Sequence, residues 1–152
     1  MSKPKLVATV LFSIVALITA GAGLKFIFAA EYFSYHAAVS GVSWSGLESG
    51  LQLLVLSGFK IVGAGFLTVA LCLGLMIVYP FIKYDQAWSY YAIPISGLVF
   101  WSIILTTTLG LSFKTEVVTP WLESLFCVSS LLLGCLVLFF GSGSKTNAFG
   151  EY

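Results

Sequence analysis

Four stretches of this chain, about residues 6–30, 51–79, 87–112 and 119–141, stay apolar over roughly the thickness of a bilayer's hydrocarbon core. Between them they hold only three charged side chains, Lys25, Lys60 and Glu123. Lipid offers no water to unpaired backbone N–H and C=O groups, so each stretch must close its hydrogen bonds within itself, as a helix. Composition agrees, with 59% hydrophobic and 9% charged residues against about one quarter charged in soluble domains. The expected fold is all-α: a transmembrane four-helix bundle threaded up-down-up-down, one domain over residues 1–141, followed by a polar tail at 142–152. The first stretch contains Ala20-Gly21-Ala22, which resembles a signal-peptide cleavage site, but we expect it to be retained as a span.

Pro80 is expected to stop the second span, and Pro94 to be tolerated near the start of the third. Thr119-Pro120 reads as an N-cap followed by proline at the first helical position, opening the fourth span. The segment EYFSYHAAVSGVSWSGLESG, residues 31–50, reads as an interfacial loop or short helix. Lys3, Lys5, Lys83 and Lys145 would gather on the side shared by both termini and the middle turn. The opposite loops hold only Lys114, so the termini are expected in the cytoplasm, in a multi-pass protein of a bacterial inner membrane. Tyr79, Tyr84, Trp88, Tyr90 and Tyr91 would mark one interface, and Tyr32, Tyr35, Trp44 and Trp121 the other. Trp101 falls in mid-span, where packing against a neighbour is expected.

Helices in lipid associate through close packing of small residues. Helical spacing aligns Thr9, Ser13, Ala16, Ala20 and Gly23 in the first span, and Lys60, Gly63, Leu67, Ala70 and Gly74 in the second. Ser102, Thr106 and Gly110 align in the third, and Glu123, Cys127, Ser130 and Gly134 in the fourth. These rows are expected to face inward, and packing alone accounts for their uncharged members.

The three intramembrane charges ask for a separate account. Lys60 precedes Tyr79 by nineteen residues, or roughly 28 Å of helix, and Lys25 follows Leu6 by the same count. Glu123 precedes Gly141 by eighteen residues, or roughly 27 Å, so all three are expected at one level in the outer half. Lysine stems at that depth can snorkel to the headgroups, yet LQLLVLSGF continues apolar beyond Lys60. A pair between Glu123 and Lys25 or Lys60 would lower the cost of desolvating both. His36, Trp44, Gln52, Glu48 and Thr106 to Thr108 gather at the same height. Two readings stand, first a water-exposed, headgroup-level rim of the bundle and second an outward-opening polar pocket under the first loop.

Other chemistries lose their footing in composition. All seven basic residues are isolated lysines and arginine is absent, which removes nucleic acid and bidentate anion recognition. Cys72, Cys127 and Cys135 form no CxxC pair or metal spacing and are read as inert thiols. One histidine is too few for paired haem ligation, and no metal site or cofactor is expected.

The segments YHAAVSGVSW, LQLLVLSGFKIVGAG, YPF, WSYYAIPISGL and TPW resemble small four-span bacterial integral membrane proteins that have no assigned activity. That resemblance runs from Tyr35 to Trp121; it implies the four-span topology and draws attention to Tyr35, His36, Trp44, Gln52, Lys60 and Trp121. The general shape is also similar to the DoxX-like group, of which no functional motif has a counterpart here. With Lys25 and Glu123 these residues make the candidate contact set, and no catalytic residue is assigned. The function expected is a binding or accessory subunit holding a lipid, a quinone-like molecule or a larger membrane complex, with membrane lipids or a second copy as partners. The alternatives are a membrane enzyme using His36 with Glu31 or Glu48 for proton transfer, and a small oligomeric transporter.

Overall fold

A computed structural model of the chain describes residues 1–141; the predicted tail lies outside them. Helix α1 runs Lys3–Ile27, α2 Ser34–Ser40, α3 Ser49–Met76, α4 Ser89–Thr115 and α5 Trp121–Gly141. The architecture is all-helical, and four of the helices are long and apolar enough to cross a membrane. Much of their outer surface is apolar, with Leu17, Leu53, Ile61 and Phe140 between 70% and 81% exposed. Water would penalise such a surface, whereas acyl chains accept it.

Helix α1 is central, packing on both α3 and α5, while α4 packs chiefly on α5. Ser2 opens α1 by accepting a hydrogen bond from the Lys5 amide at 3.4 Å, with Pro4 in the first turn, where its missing N–H costs nothing. The buried face of α1 is Lys5, Ala8, Phe12, Val15, Thr19 and Gly23. The predicted small row of α1 lies beside that face, half-buried except for the shared Gly23. Its Ala16 and Ala20 instead edge a shallow apolar groove of about 590 Å³ against Leu67, Ala70 and Gly74 of α3. In α5 the prediction is met by Cys127, Ser130 and Gly134, all buried, but Glu123 is exposed. In the α4 row the Thr106 hydroxyl turns to its own helix, donating to the Ser102 carbonyl at 2.9 Å.

Glycines set how near the helices come. A Cβ on Gly63 would stand 2.7 Å from the Gly23 carbonyl oxygen, and one on Gly97 2.8 Å from a Leu131 methyl. A Cβ on Gly134 would stand 2.5 Å from the Phe12 ring. Trp101 is buried as expected, and its indole N–H donates to Thr19 Oγ1 at 3.1 Å. Thr19 passes its own proton to the Val15 carbonyl at 2.7 Å, so this polar bridge between α1 and α4 is complete.

Two predicted boundaries are corrected. Pro80 does not end the second span: the chain continues through a π-helical turn, Ile77–Lys83. Proline removes one N–H from a helix, and the wider turn absorbs the loss. The Tyr84 N–H reaches back five residues to the Tyr79 carbonyl at 2.9 Å, and Gln86 N–H to that of Pro80 at 2.7 Å. Thr119, for its part, is no cap for α5. Its hydroxyl donates to the Thr108 carbonyl at 2.8 Å and lies 3.0 Å from the Ser112 hydroxyl, fastening the connection to the end of α4.

At the end of the bundle remote from the first loop, the Lys5 ammonium pairs with Asp85. It also lies 5.2 Å from the Phe81 ring centre and 5.7 Å from that of Tyr90. Asp85 adopts φ 51°, a left-handed conformation that aspartate tolerates better than most residues, and it accepts from the Tyr90 hydroxyl at 2.6 Å. Sequence reading placed Lys5 and Tyr90 near one interface without joining them to Asp85.

Candidate functional site

The loop between α1 and α3 folds back over the bundle because its aromatic rings have a place to go. Phe33 stacks on Phe59 with ring centres 5.3 Å apart and meets Phe26 edge-on at 5.2 Å; Phe26 stacks on Phe66 at 5.7 Å. Phe59 and Phe66 are seven residues apart, two turns of α3, so both present to the same side. Such pairs contribute on the order of 1 kcal/mol each beyond the area they bury. Sequence reading overlooked these four phenylalanines; the spacing of seven between Phe59 and Phe66 was the available signal.

The distal part of the loop is latched separately. The Tyr32 hydroxyl donates to the Val42 carbonyl, its ring meets Trp44 edge-on at 5.1 Å, and Gln52 Nε2 donates to the Trp44 carbonyl at 2.8 Å. Gly41, with φ 70°, supplies the left-handed residue that ends α2 and turns the chain toward Trp44. Of the predicted contact set, Trp44 and Gln52 thus secure the lid and do not line the hollow beneath it.

Beneath the loop lie two adjoining hollows of about 250 and 240 Å³, together at the lower end of the range of small-ligand sites. They share walls made by Ala22, Phe26, Tyr35, Pro120 and Glu123. The first adds Lys25, Phe33, Gly21 and Ile18. The second runs between α3 and α4, which touch little, and is walled by Val62, Phe66, Trp101, Ile103 and Ile104, with Thr107 and Thr108 at the side. One hollow is therefore charged and the other largely apolar, and the Tyr35 ring and Glu123 stand where they meet.

The structure brings Lys25, Tyr35 and Glu123 to this one place. The Lys25 ammonium lies 4.8 Å from the Phe33 ring centre, a cation–π distance, and stays beyond ion-pair range of Glu123. Burial raises the Tyr35 phenol above its ordinary pKa, and the nearby Glu123 carboxylate adds to the shift. Lys60 departs from expectation: it is exposed, lines neither hollow and forms no pair with Glu123. The reason is rotational. Gly63 and Phe66 hold the face of α3 that meets the rest of the bundle, and Lys60, though three residues before Gly63, falls at the edge of that face with a side chain long enough to leave it. Trp121, half-buried at the first position of α5, lines neither hollow.

His36 sits behind Tyr35, with ring centres 4.0 Å apart, and packs on Phe59 at 5.2 Å. Its Nδ1 is buried without a hydrogen-bond partner among the described residues. Burial lowers its pKa, opposed by the Phe33 backbone. Neither Glu31 nor Glu48 is hydrogen-bonded to that atom, and both are exposed, so the dyad considered for proton transfer is not assembled.

No family model matches the chain, and no curated protein or solved structure matches it. The fold itself defines the class: an all-helical bundle with four candidate membrane spans and, at one end, a loop-covered cavity with a charged and an apolar half.

Proposed function

We propose that this is a binding protein of the bacterial inner membrane that holds an amphipathic, lipid-like or quinone-like molecule under its first loop. The observation that carries the reading is the division of the cavity. Lys25, Tyr35 and Glu123 offer a polar head its partners, while Val62, Phe66 and Ile104 offer an apolar body a dry wall. No catalysis is required by this reading.

The membrane arrangement belongs to the same proposal. Contacts support up-down-up-down threading: Gly23 meets Gly63, Phe12 meets Phe81 at 5.9 Å, Lys5 meets Asp85, and a Cβ on Gly141 would meet Pro4. Lys3, Lys5 and Lys83 then lie at the end opposite the loop, which favours cytoplasmic termini and an outward-facing cavity.

Gentle extraction and mass spectrometry of the molecules still bound test the reading. Ile104→Trp, which fills the apolar half, is expected to remove a molecule that the unaltered protein retains. Undiminished retention by that variant, with its helix content intact, would overturn the proposal.

A further inference from the structure

The two charges in the cavity are not used on each other. Lys25 and Glu123 line the same hollow of about 250 Å³, yet the ion pair among the described residues is Lys5–Asp85, at the far end of the bundle. Both side chains are exposed, so neither has given up enough solvation to be forced into a pair, and each keeps its charge for another partner. Here Lys25 is carried by α1, whose neighbouring Phe26 is fixed by Phe33, Phe59 and Phe66, and Lys25 itself rests over the Phe33 ring. Glu123 is carried by the first turn of α5, behind the Thr119 fastening. Among the described residues the two charges form no ion pair with each other.

A cavity with a positive and a negative wall complements a ligand that is itself a dipole. Resting on the binding function proposed above, we infer that the occupant is a zwitterionic phospholipid with a primary ammonium, of the phosphatidylethanolamine class. Its phosphate is met by the Lys25 ammonium and its ammonium by the Glu123 carboxylate, with the Tyr35 hydroxyl between them as a neutral donor. One acyl chain occupies the hollow between α3 and α4 formed by Val62, Phe66 and Ile104. A purely anionic headgroup gives Glu123 no cation, and a trimethylated ammonium has no N–H to give it.

The test offers the purified full-length protein an equimolar mixture of phosphatidylethanolamine, phosphatidylglycerol and phosphatidylcholine with identical chains, and counts retained lipid by native mass spectrometry. Phosphatidylethanolamine is expected to be enriched about fivefold or more, the scale of a charged hydrogen bond at a partly solvated site. Glu123→Gln, nearly isosteric, is expected to abolish the preference while total lipid stays the same; Lys25→Gln is expected to weaken retention of all three. Equal retention by the unaltered protein, or a preference that survives Glu123→Gln, overturns the inference. So does displacement by soluble glycerophosphoethanolamine as effective as that by the intact lipid, which would make the occupant a free headgroup. Ile104→Trp separates the two claims: if it abolishes retention while the three lipids bind equally to the unaltered protein, the cavity binds lipid and only headgroup selection fails. If it leaves retention unchanged, the binding reading itself falls.

Discussion

Individual residues carry charge and hydrogen bonding that the lipid interior would otherwise penalise, and three of them make sharp predictions. Thr19→Val leaves the buried Trp101 indole N–H without an acceptor, a change expected to lower stability by about 1 kcal/mol, read from detergent unfolding monitored by helix content. Asp85 has its carboxyl pKa lowered, first by the hydrogen bond from Lys5 and then by that from Tyr90. A depressed folded value means that the stabilisation is full above the ordinary carboxylate range and is lost as pH falls below about 4, so an acid-labile step is expected that Asp85→Asn removes. His36 works at a higher pH. Its lowered value favours the neutral ring in the folded loop, so stability is full above about 6.5 and declines as pH falls through the range beneath. Hydrogen-exchange protection across residues 34–40, taken relative to the intrinsic rate at each pH, is expected to fall on mild acidification, and His36→Phe to abolish that response.

At the scale of elements, the apolar runs announce the four long helices with little ambiguity, because in lipid a long apolar segment has few other ways to satisfy its backbone. Rotation and local hydrogen bonding are not legible in the same way. A row of small residues says that a helix can be approached closely but not from which quarter: the buried face of α1 includes Phe12 and Val15, which no small-residue criterion selects. Lys60 escapes prediction for the same reason, since helical spacing relates it to Gly63 without fixing where a long flexible side chain will go. Thr119 has the composition of a cap, and only the placement of Thr108 and Ser112 redirects it. The Lys25, Tyr35 and Glu123 grouping is partly visible, because counting 1.5 Å per residue puts Lys25 and Glu123 at similar heights. The closeness of α1 to α3 gives a prediction at this scale. Gly63→Val has no room against the Gly23 carbonyl oxygen and is expected to cost about 1–3 kcal/mol, whereas Gly65→Ala, with nothing within 4 Å, should be near neutral in the same unfolding assay.

Across the whole molecule, the two ends of the bundle are built differently: one is closed by an ion pair and a proline-bearing turn, the other by a latched aromatic loop over a divided cavity. Up-down-up-down threading requires that single cysteines at Ser2 and Gln86 be labelled by membrane-impermeant reagent from the same side, and cysteines at Ser43 and Glu48 from the other. A shared side for all four would refute it. The turn at Ile77–Lys83 also makes chain length, and not only composition, a determinant of the closed end. Leu73, Ile77 and Phe81 stay on the buried side from the end of α3 through this turn. Removing one residue there, for instance Ile82, would shorten the link between the buried Phe81 and Asp85. Asp85 would then be drawn away from Lys5, so a shortening that preserves every interacting group should abolish the same acid-labile step as deleting the carboxylate: the clasp at this end depends on the measure of chain that delivers Asp85 as much as on the carboxylate itself.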